Sequence, residues 1–304
     1  MTPVGPAPAW SLLHDTVKGR NKSFSQDSSL ARPVADGGGA LLAVADGHGA
    51  KAHHRSHLGS RWAVEEFAAC VQALAEDVAS RGVDEARWPA VLAAARTLPQ
   101  QITHRWLRRM ALYEANFPAS GSASRAPDAH PDPIPYGSTL IGALLVGPLL
   151  LCWKLGDGDI VLVDDHGDAF VPLYDGPEYG DEAESLCQPE AWRQMRFFWR
   201  RLPADGRTAV LISTDGLSKS FTDHAGFVAF AEGLRDRARD NGVATVQGQL
   251  ADWLGRAASF SGDDSTLVGA FPAARYAAGP PVVPPPPDAT APPTAPPPPT
   301  ADVP

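Results

Sequence analysis

The chain has 304 residues, of which 44% are apolar, and a formal net charge of −9, which allows one large domain or two small ones with a substantial core. The negative charge argues against binding to nucleic acid or to anionic membranes, because both require a basic face. Three cysteines, Cys70, Cys152 and Cys187, are too few for a disulfide framework and are expected to be buried, reduced thiols. Residues 1–10 lack a basic region followed by an apolar stretch, so we expect no signal peptide and a cytoplasmic protein.

The first half of the chain predicts one buried strand followed by helices. The apolar run Leu41–Ala45 is typical of a strand that is buried on both faces. From Leu58 to Val78, apolar residues recur at helical spacing, which predicts a long amphipathic helix. The same spacing over residues 102–113 predicts a further helix, and Pro89 and Pro99 occupy positions typical of the first turn of a helix.

The middle of the chain predicts a loop and a β-hairpin. Residues 117–135 are rich in proline, serine, alanine and aspartate and predict a mobile loop. The apolar stretch 140–155 is too short to span a membrane, and Gly147-Pro148 interrupts it. It therefore predicts two buried strands, residues 139–146 and 149–155.

The remaining elements imply an α+β architecture. Strands are predicted at 160–163, 169–173, 208–213 and 267–271, an acidic loop at 174–186, and helices at 191–202, 227–239 and 245–258. The segment 191–202 is basic and aromatic; its four large rings are expected to pack in the core, and the alternative is a docking surface. These rings belong to Trp192, Phe197, Phe198 and Trp199.

The C-terminal segment differs in composition from the rest of the chain. About half of residues 279–304 are proline, without periodic apolar residues. Such a sequence cannot bury enough surface to fold, so residues 274–304 are predicted to be a disordered tail, partly in polyproline II conformation. The tail is either an inert terminus or a docking segment for a proline-binding partner.

Acidic residues stand at the ends of several predicted strands. Two apolar runs end in an Asp-Gly pair, Asp46-Gly47 and Asp215-Gly216, while Gln26-Asp27 and Asp263-Asp264 precede other strands. A strand end holds a carboxylate on a rigid element, and the glycine lets the chain turn sharply. Carboxylates with few histidine or cysteine neighbours suit a hard divalent cation such as magnesium or manganese.

Each of these motifs is weak alone, because Asp-Gly is a common turn dipeptide. Their order carries more weight; the motifs are Gln26-Asp27, Asp46-Gly47-His48-Gly49, Gly137-Ser138-Thr139, Gly156-Asp157-Gly158-Asp159, Thr214-Asp215-Gly216 and Asp263-Asp264-Ser265-Thr266. In this order the chain resembles the metal-dependent protein phosphatases of type 2C, and most of all the bacterial branch with a Gln-Asp first motif. The resemblance covers about residues 12–271.

The resemblance implies a fold and an activity. The expected fold is a four-layer αββα sandwich of two antiparallel sheets flanked by helix pairs, over residues 11–273, with residues 1–10 as an N-terminal extension. The implied activity is hydrolysis of phosphoserine and phosphothreonine in phosphoproteins by a water that two Mn²⁺ or Mg²⁺ ions activate. The implied partners are a Ser/Thr kinase or its substrates.

The resemblance also assigns metal ligands. Asp46 matches the carboxylate that bridges two ions, and the Gly47 carbonyl matches a ligand of one of them. Asp215 and Asp263 match ligands of the other ion, and Asp27 matches a carboxylate that acts through coordinated water. Two further acids are assigned supporting roles: Asp157 supports a third, weaker ion, and Asp264 stands beside the ions without binding them.

Three basic residues complete the implied site. His48 matches the general acid that protonates the departing seryl or threonyl oxygen. The family commonly has an arginine five residues before its first-motif aspartate to grip the phosphate, and here that position is Lys22, with Arg20 nearby. Lysine keeps the charge but loses the two-pronged grip, so Lys22 or Arg20 is expected to bind phosphate.

Other interpretations of the chain remain open at this point. The histidines between 53 and 57 are expected to lie at a partly solvated helix start, because further ligands for zinc are missing. A catalytically weak or silent regulator that binds phosphoproteins or a kinase is the alternative function. A metal-dependent esterase for a small phosphorylated molecule is the third.

Overall fold

Ten strands in two antiparallel sheets form the centre of the computed structural model, which describes residues 9–84, 86–117, 131–174, 176, 184–203 and 208–276. The strands are β1 (Trp10–Val17), β2 (Ser28–Val34), β3 (Gly39–Ala45), β4 (Leu140–Val146), β5 (Leu149–Leu155), β6 (Asp159–Val163), β7 (Ala169–Phe170), β8 (Arg196–Arg201), β9 (Ala209–Ser213) and β10 (Ser265–Pro272). The helices are α1 (Ser56–Arg81), α2 (Trp88–Asn116), α3 (Asp215–Ser218), α4 (His224–Asn241), α5 (Val243–Ser261) and α6 (Ala273–Tyr276).

The sheets and helices stack in four layers. One sheet has the order β2-β3-β4-β5-β8 and packs against α1 and α2; the other has the order β1-β10-β9-β6-β7 and packs against α4 and α5. A third cluster of buried side chains lies between the sheets. The predicted αββα sandwich is therefore confirmed, together with the predicted helix at 58–78 and the hairpin at 139–155.

Strand β3 shows why the inner strands are continuously apolar. Leu41 and Ala43 belong to the core shared with α1, whereas Leu42 and Val44 belong to the core between the sheets. Because successive side chains point to opposite faces and both faces are covered, no position on the strand is left for a polar residue.

Helix α2 corrects the prediction for Pro99. Pro89 lies in the first turn as predicted, but Pro99 lies inside one continuous helix from Trp88 to Asn116. A proline there cannot donate to the carbonyl four residues earlier, which is that of Ala95. The buried indole of Trp153 on β5 donates to this carbonyl instead, at 3.0 Å. A contact from the adjacent sheet thus replaces the missing helical hydrogen bond.

The predicted helix at 191–202 is wrong. A single 3₁₀ turn (Ala191–Arg193) is followed by β8, which pairs with β5 at the edge of its sheet. Phe197 and Trp199 pack on the helix side of this sheet, and Phe198 packs between the sheets. This alternation is that of a strand. Three of the four rings therefore pack against the core as expected, but from a different element, while Trp192 is half-buried and contacts the guanidinium of Arg193.

The ordered fold extends beyond both predicted domain boundaries. Trp10 pairs with Pro272 at the start of β1, inside the predicted N-terminal extension. Tyr276, the third residue of the predicted tail, lies in α6, is 4% exposed and contacts the ring of Phe271. Residues 277–304, and most of the predicted loops at 117–135 and 174–186, lie outside the described residues. Within the described ranges, no helix combines the length and apolar character needed to cross a membrane.

Candidate metal centre

Antiparallel pairing brings the acidic strand ends to one edge of the sandwich. The start of β2 pairs with the end of β3 (Ser28 with Ala45), so Asp27 lies beside Asp46. The start of β10 pairs with the end of β9 (Leu267 with Ser213), so the acidic pair before β10 lies beside Asp215. Since the two sheets pack face to face, these two strand-end pairs meet at the same edge.

Three of the carboxylates form a compact group. Asp46, Asp215 and Asp263 each offer an oxygen atom, and these atoms lie within 4.8 Å of one another. Oδ1 of Asp215 and Oδ1 of Asp27 are buried and have no hydrogen-bond partner among the residues that the structure describes. Buried polar atoms are normally satisfied, so these two oxygens indicate that a cation belongs here. An all-oxygen donor set fits Mg²⁺ or Mn²⁺.

Asp27 is held from one side by two hydroxyl groups. Its Oδ2 accepts hydrogen bonds from Thr214 Oγ1 at 2.8 Å and Thr266 Oγ1 at 2.7 Å. Burial raises the pKa of Asp27 to about 7, and the charges of Asp264 and Asp215 act in the same direction against the two hydroxyl bonds. The carboxyl is therefore positioned with one oxygen satisfied and one available.

Asp46 is fixed by its backbone. Its N–H donates to Thr139 Oγ1, and its carbonyl accepts from the Thr139 N–H, both at 2.9 Å. Burial and then the charges of Asp27 and Asp215 raise the pKa of Asp46 well above the usual range. Mutual repulsion of this kind is relieved when a divalent cation binds between the carboxylates.

The glycine after each aspartate is required by close approach of other backbone. A Cβ on Gly47 would lie 2.7 Å from the carbonyl oxygen of Gln26 and 2.9 Å from that of Ser56. A Cβ on Gly216 would lie 1.9 Å from the carbonyl oxygen of Asp264. Both Asp-Gly pairs are therefore required by packing, and Gly47 also forms an isolated antiparallel bridge with Ser138.

Asp215 and Asp157 share the ammonium group of Lys219. Lys219 Nζ lies 3.2 Å from Asp157 Oδ2 and forms a second ion pair with Asp215 Oδ2. Burial raises the pKa of Asp157 to about 6, which the charge of Asp215 reinforces and Lys219 opposes. Burial opposes ionisation of Asp215 too, but hydrogen bonds with Asp46 and Lys219 hold its pKa below the ordinary value.

The two acids before β10 have different surroundings. Asp264 is 1% exposed and accepts hydrogen bonds from the backbone N–H groups of Gly19 at 2.8 Å and Gln26 at 2.7 Å. Asp263 is more exposed and contributes to the compact carboxylate group. Asp264 thus ties the loop before β2 to the site, while Asp263 faces its fellow carboxylates.

The two residues expected to bind phosphate differ in availability. Lys22 forms ion pairs with Asp263 and, at 3.1 Å, with Asp264, and these carboxylates raise its pKa although burial opposes them. Arg20 is exposed and makes no hydrogen bond or ion pair within the described part of the chain. A phosphate would have to share Lys22 with two carboxylates, whereas the charge of Arg20 is not shared with any described residue.

His48 lies next to the carboxylates in a mostly buried position. The backbone N–H of His48 donates to the Gly137 carbonyl at 3.1 Å, and the centroid of its ring is 4.9 Å from that of the His53 ring. Burial and then the charge of His53 lower the pKa of His48 to about 4, which Asp215 opposes. In the described ranges no histidine joins a group of three metal-ligating side chains.

Several supporting residues were missed in the sequence. Thr214, Thr266 and Thr139 hold the acids through their hydroxyl groups, and Gln26 Nε2 donates to the His48 carbonyl at 2.9 Å. The threonines stand inside recognised motifs, but which carboxylate each one serves depends on strand pairing. Lys219 follows Asp215 by four residues, which is the spacing of an ion pair on a helix, and that signal was available.

The chain is similar to known proteins in sequence and in structure. A family model described as protein phosphatase 2C matches residues 17–255. A search among curated proteins found no match. Similar solved structures include PppA, described as a key regulatory component of T6SS in Pseudomonas aeruginosa, with 19% identity, a TM-score of 0.53, and 87% of this chain and 98% of that chain covered.

Two further structures show the same likeness. The Mycobacterium tuberculosis serine/threonine phosphatase PstP/Ppp is 19% identical with a TM-score of 0.50, covering 86% of this chain and 98% of its own. The catalytic domain of a serine/threonine protein phosphatase PstP in complex with two manganese ions is 21% identical with a TM-score of 0.51, covering 86% and 97%. At such identities the likeness shows a shared fold.

Proposed function

Because the chain belongs to the protein phosphatase 2C family of metal-dependent serine/threonine phosphatases, we propose that it hydrolyses phosphoserine and phosphothreonine in phosphoproteins with two divalent cations. The observation that carries this proposal is the compact group of Asp46, Asp215 and Asp263, beside two buried carboxylate oxygens without partners. A catalytically silent member of the family would have no need to keep such a costly cluster of buried charges.

The strand-end residues would hold the two cations. Asp46, within 4.8 Å of both Asp215 and Asp263, would bridge the ions, as the family resemblance implies, with the Gly47 carbonyl as a further ligand. Asp215 and Asp263 would bind directly, and Asp27 would act through water by its free Oδ1. When bound, Mn²⁺ or Mg²⁺ supplies an acidified water molecule and neutralises phosphoryl charge.

His48 and the basic residues would serve the phosphoryl group. His48 is neutral at pH 7 because of its lowered pKa, so its ring acts as a proton donor only after the negative phosphate raises that pKa. Arg20 would grip phosphate in a bidentate manner, and Lys22 would contribute through its charge. The substrates we propose are proteins phosphorylated by a Ser/Thr kinase, or the kinase itself.

Turnover of p-nitrophenyl phosphate and of a phosphothreonine peptide, with Mn²⁺ and with excess chelator, tests the proposal. We expect activity on both substrates with Mn²⁺, loss with chelator, and poor replacement by Zn²⁺, which prefers nitrogen and sulfur ligands. Full activity in chelator would refute the metal mechanism. Mn²⁺ binding without turnover of either substrate would favour the silent regulator.

A further inference from the structure

Two lysines form ion pairs with different members of the carboxylate cluster. Lys22 pairs with Asp263 and Asp264, and Lys219 pairs with Asp157 and Asp215. Asp46, which belongs to the same compact group, forms no ion pair with an ammonium group among the described residues. The ammonium groups that form ion pairs with these carboxylates are those of Lys22 and Lys219, while Lys154 lines the cavity beside Asp157 and Lys219.

The local fold directs Lys219 onto its two partners. Asp215 opens the short helix α3, and the Lys219 N–H donates to the Asp215 carbonyl at 2.7 Å. A spacing of four residues places the Lys219 side chain over that of Asp215. The neighbouring Asp159 lies 3.5 Å from His224 Nε2, which leaves Asp157 and Asp215 as the carboxylates that Lys219 contacts.

The formal charges of the site favour two divalent cations. Six aspartates (Asp27, Asp46, Asp157, Asp215, Asp263 and Asp264) and two lysines (Lys22 and Lys219) leave four negative charges when all are ionised. Two divalent cations balance this charge. Without Lys219 the site would keep a fifth negative charge, carried by the carboxylates of Asp157 and Asp215.

We propose that the ammonium group of Lys219 occupies the position between Asp157 and Asp215 that a third divalent cation would otherwise take. This inference rests on the proposed two-metal function. The chain then binds two metal ions. The ammonium group of Lys219, which is attached to the chain, takes the place of the third, weaker ion that the family resemblance implied for Asp157. An ammonium group on the chain is present at any concentration of metal, so the site is complete once two ions are bound.

The structure also provides room for an ion if the charge of Lys219 is removed. A cavity of about 210 Å³ opens beside Lys219, Asp157 and Asp215. At about 30 Å³ for each water molecule, it can hold a cation with several waters. Lys219→Met keeps the length of the side chain and removes the charge, and the half-exposed position of Lys219 makes loss of folding an unexpected outcome.

Counting bound Mn²⁺ at saturation, by equilibrium dialysis with elemental analysis and by titration calorimetry, tests the inference. We expect two ions for the wild type and for Lys219→Arg, and three for Lys219→Met, the third the weakest. The double variant Asp157→Asn/Lys219→Met should return to two, because it lacks one of the two carboxylates.

The possible outcomes separate this inference from the proposed function. Three ions in the wild type, or two in Lys219→Met with an unchanged melting temperature, would overturn the role of Lys219 and leave the two-metal site intact. Fewer than two ions in the wild type would refute the two-metal function itself. A higher KM for phosphopeptide in Lys219→Met, without a change in the number of ions, would make Lys219 a substrate contact and likewise overturn the inference.

Discussion

Asp27 allows the carboxylate cluster to be tested without measuring turnover. In the metal-free protein, burial raises the pKa of Asp27 from 3.8 to about 7, against the opposing bonds from Thr214 and Thr266. Because the pKa is higher in the folded state, the stability that this group contributes is full below about pH 4 and is lost as the pH rises to about 7. In the variant Asp27→Asn, the amide has nearly the same shape as the carboxyl group and does not ionise.

The size of the effect follows from the shift. Between about pH 5 and pH 7 the wild type loses about 1.4 kcal/mol for each pH unit through Asp27, or about 3 kcal/mol in all. For a domain of this size, that corresponds to roughly 6–12 °C in Tm. In chelator, the Tm of Asp27→Asn relative to wild type should therefore rise by roughly this amount between about pH 5 and pH 8.

The assay is thermal melting monitored by circular dichroism, in chelator and in saturating Mn²⁺. The comparison between the two proteins cancels groups that Asp27 does not influence, including His48, whose lowered pKa gives the opposite dependence on pH. Loss of the Asp27 charge also lowers the pKa of Asp46, which acts in the same direction as the expected effect. Mn²⁺ should suppress the pH dependence, because a nearby cation favours the ionised carboxylate. If the Tm difference in chelator does not change with pH, Asp27 does not titrate in this range and the reasoning is refuted.

Three other variants separate roles within the site and the fold. Asp264→Asn removes a buried acceptor, so it should cost about 1–3 kcal/mol of stability and lower Tm, while Mn²⁺ affinity stays nearly unchanged. Asp263→Asn should weaken Mn²⁺ binding and leave Tm nearly unchanged. The opposite result in thermal melting and calorimetry would exchange the roles of the two acids. Truncation after Tyr276 should leave Tm unchanged. Truncation after Ala274 removes the buried ring of Tyr276 and should cost about 3 kcal/mol or more of stability. Equal Tm values for the two truncated proteins would contradict the packing of α6. His48→Gln should cost about 10²-fold more in kcat on a phosphothreonine peptide than on p-nitrophenyl phosphate, whose leaving group needs no proton, and equal losses would leave His48 without a role as proton donor.

The strand-end acids could be predicted because their signal is local. An apolar run that stops at Asp-Gly predicts both a buried strand and the acidic residue at its end, as at Asp46 and Asp215. Long-range pairing decides the rest. That Thr214 and Thr266 share one oxygen of Asp27 follows from the register of β9 and β10, which the sequence does not state.

The error at 191–202 has a physical cause. In most strands with one exposed face, polar and apolar residues alternate, and Phe197, Phe198 and Trp199 do not. Both faces of β8 are packed, against α2 on one side and the second sheet on the other, so three consecutive rings are each partly buried. The abundance of aromatic residues, which favours strands over helices, was the signal that could have corrected it.

The bond from Trp153 to Ala95 means that the continuity of α2 is a tertiary property. A peptide of residues 88–116 alone has no donor for the carbonyl that Pro99 leaves free, so its helix is weakest at that point. The two halves of α2 can form early and separately, but they align as one rod only when β5 docks beneath them. We therefore expect this helix to become continuous together with the docking of β5 and not before it.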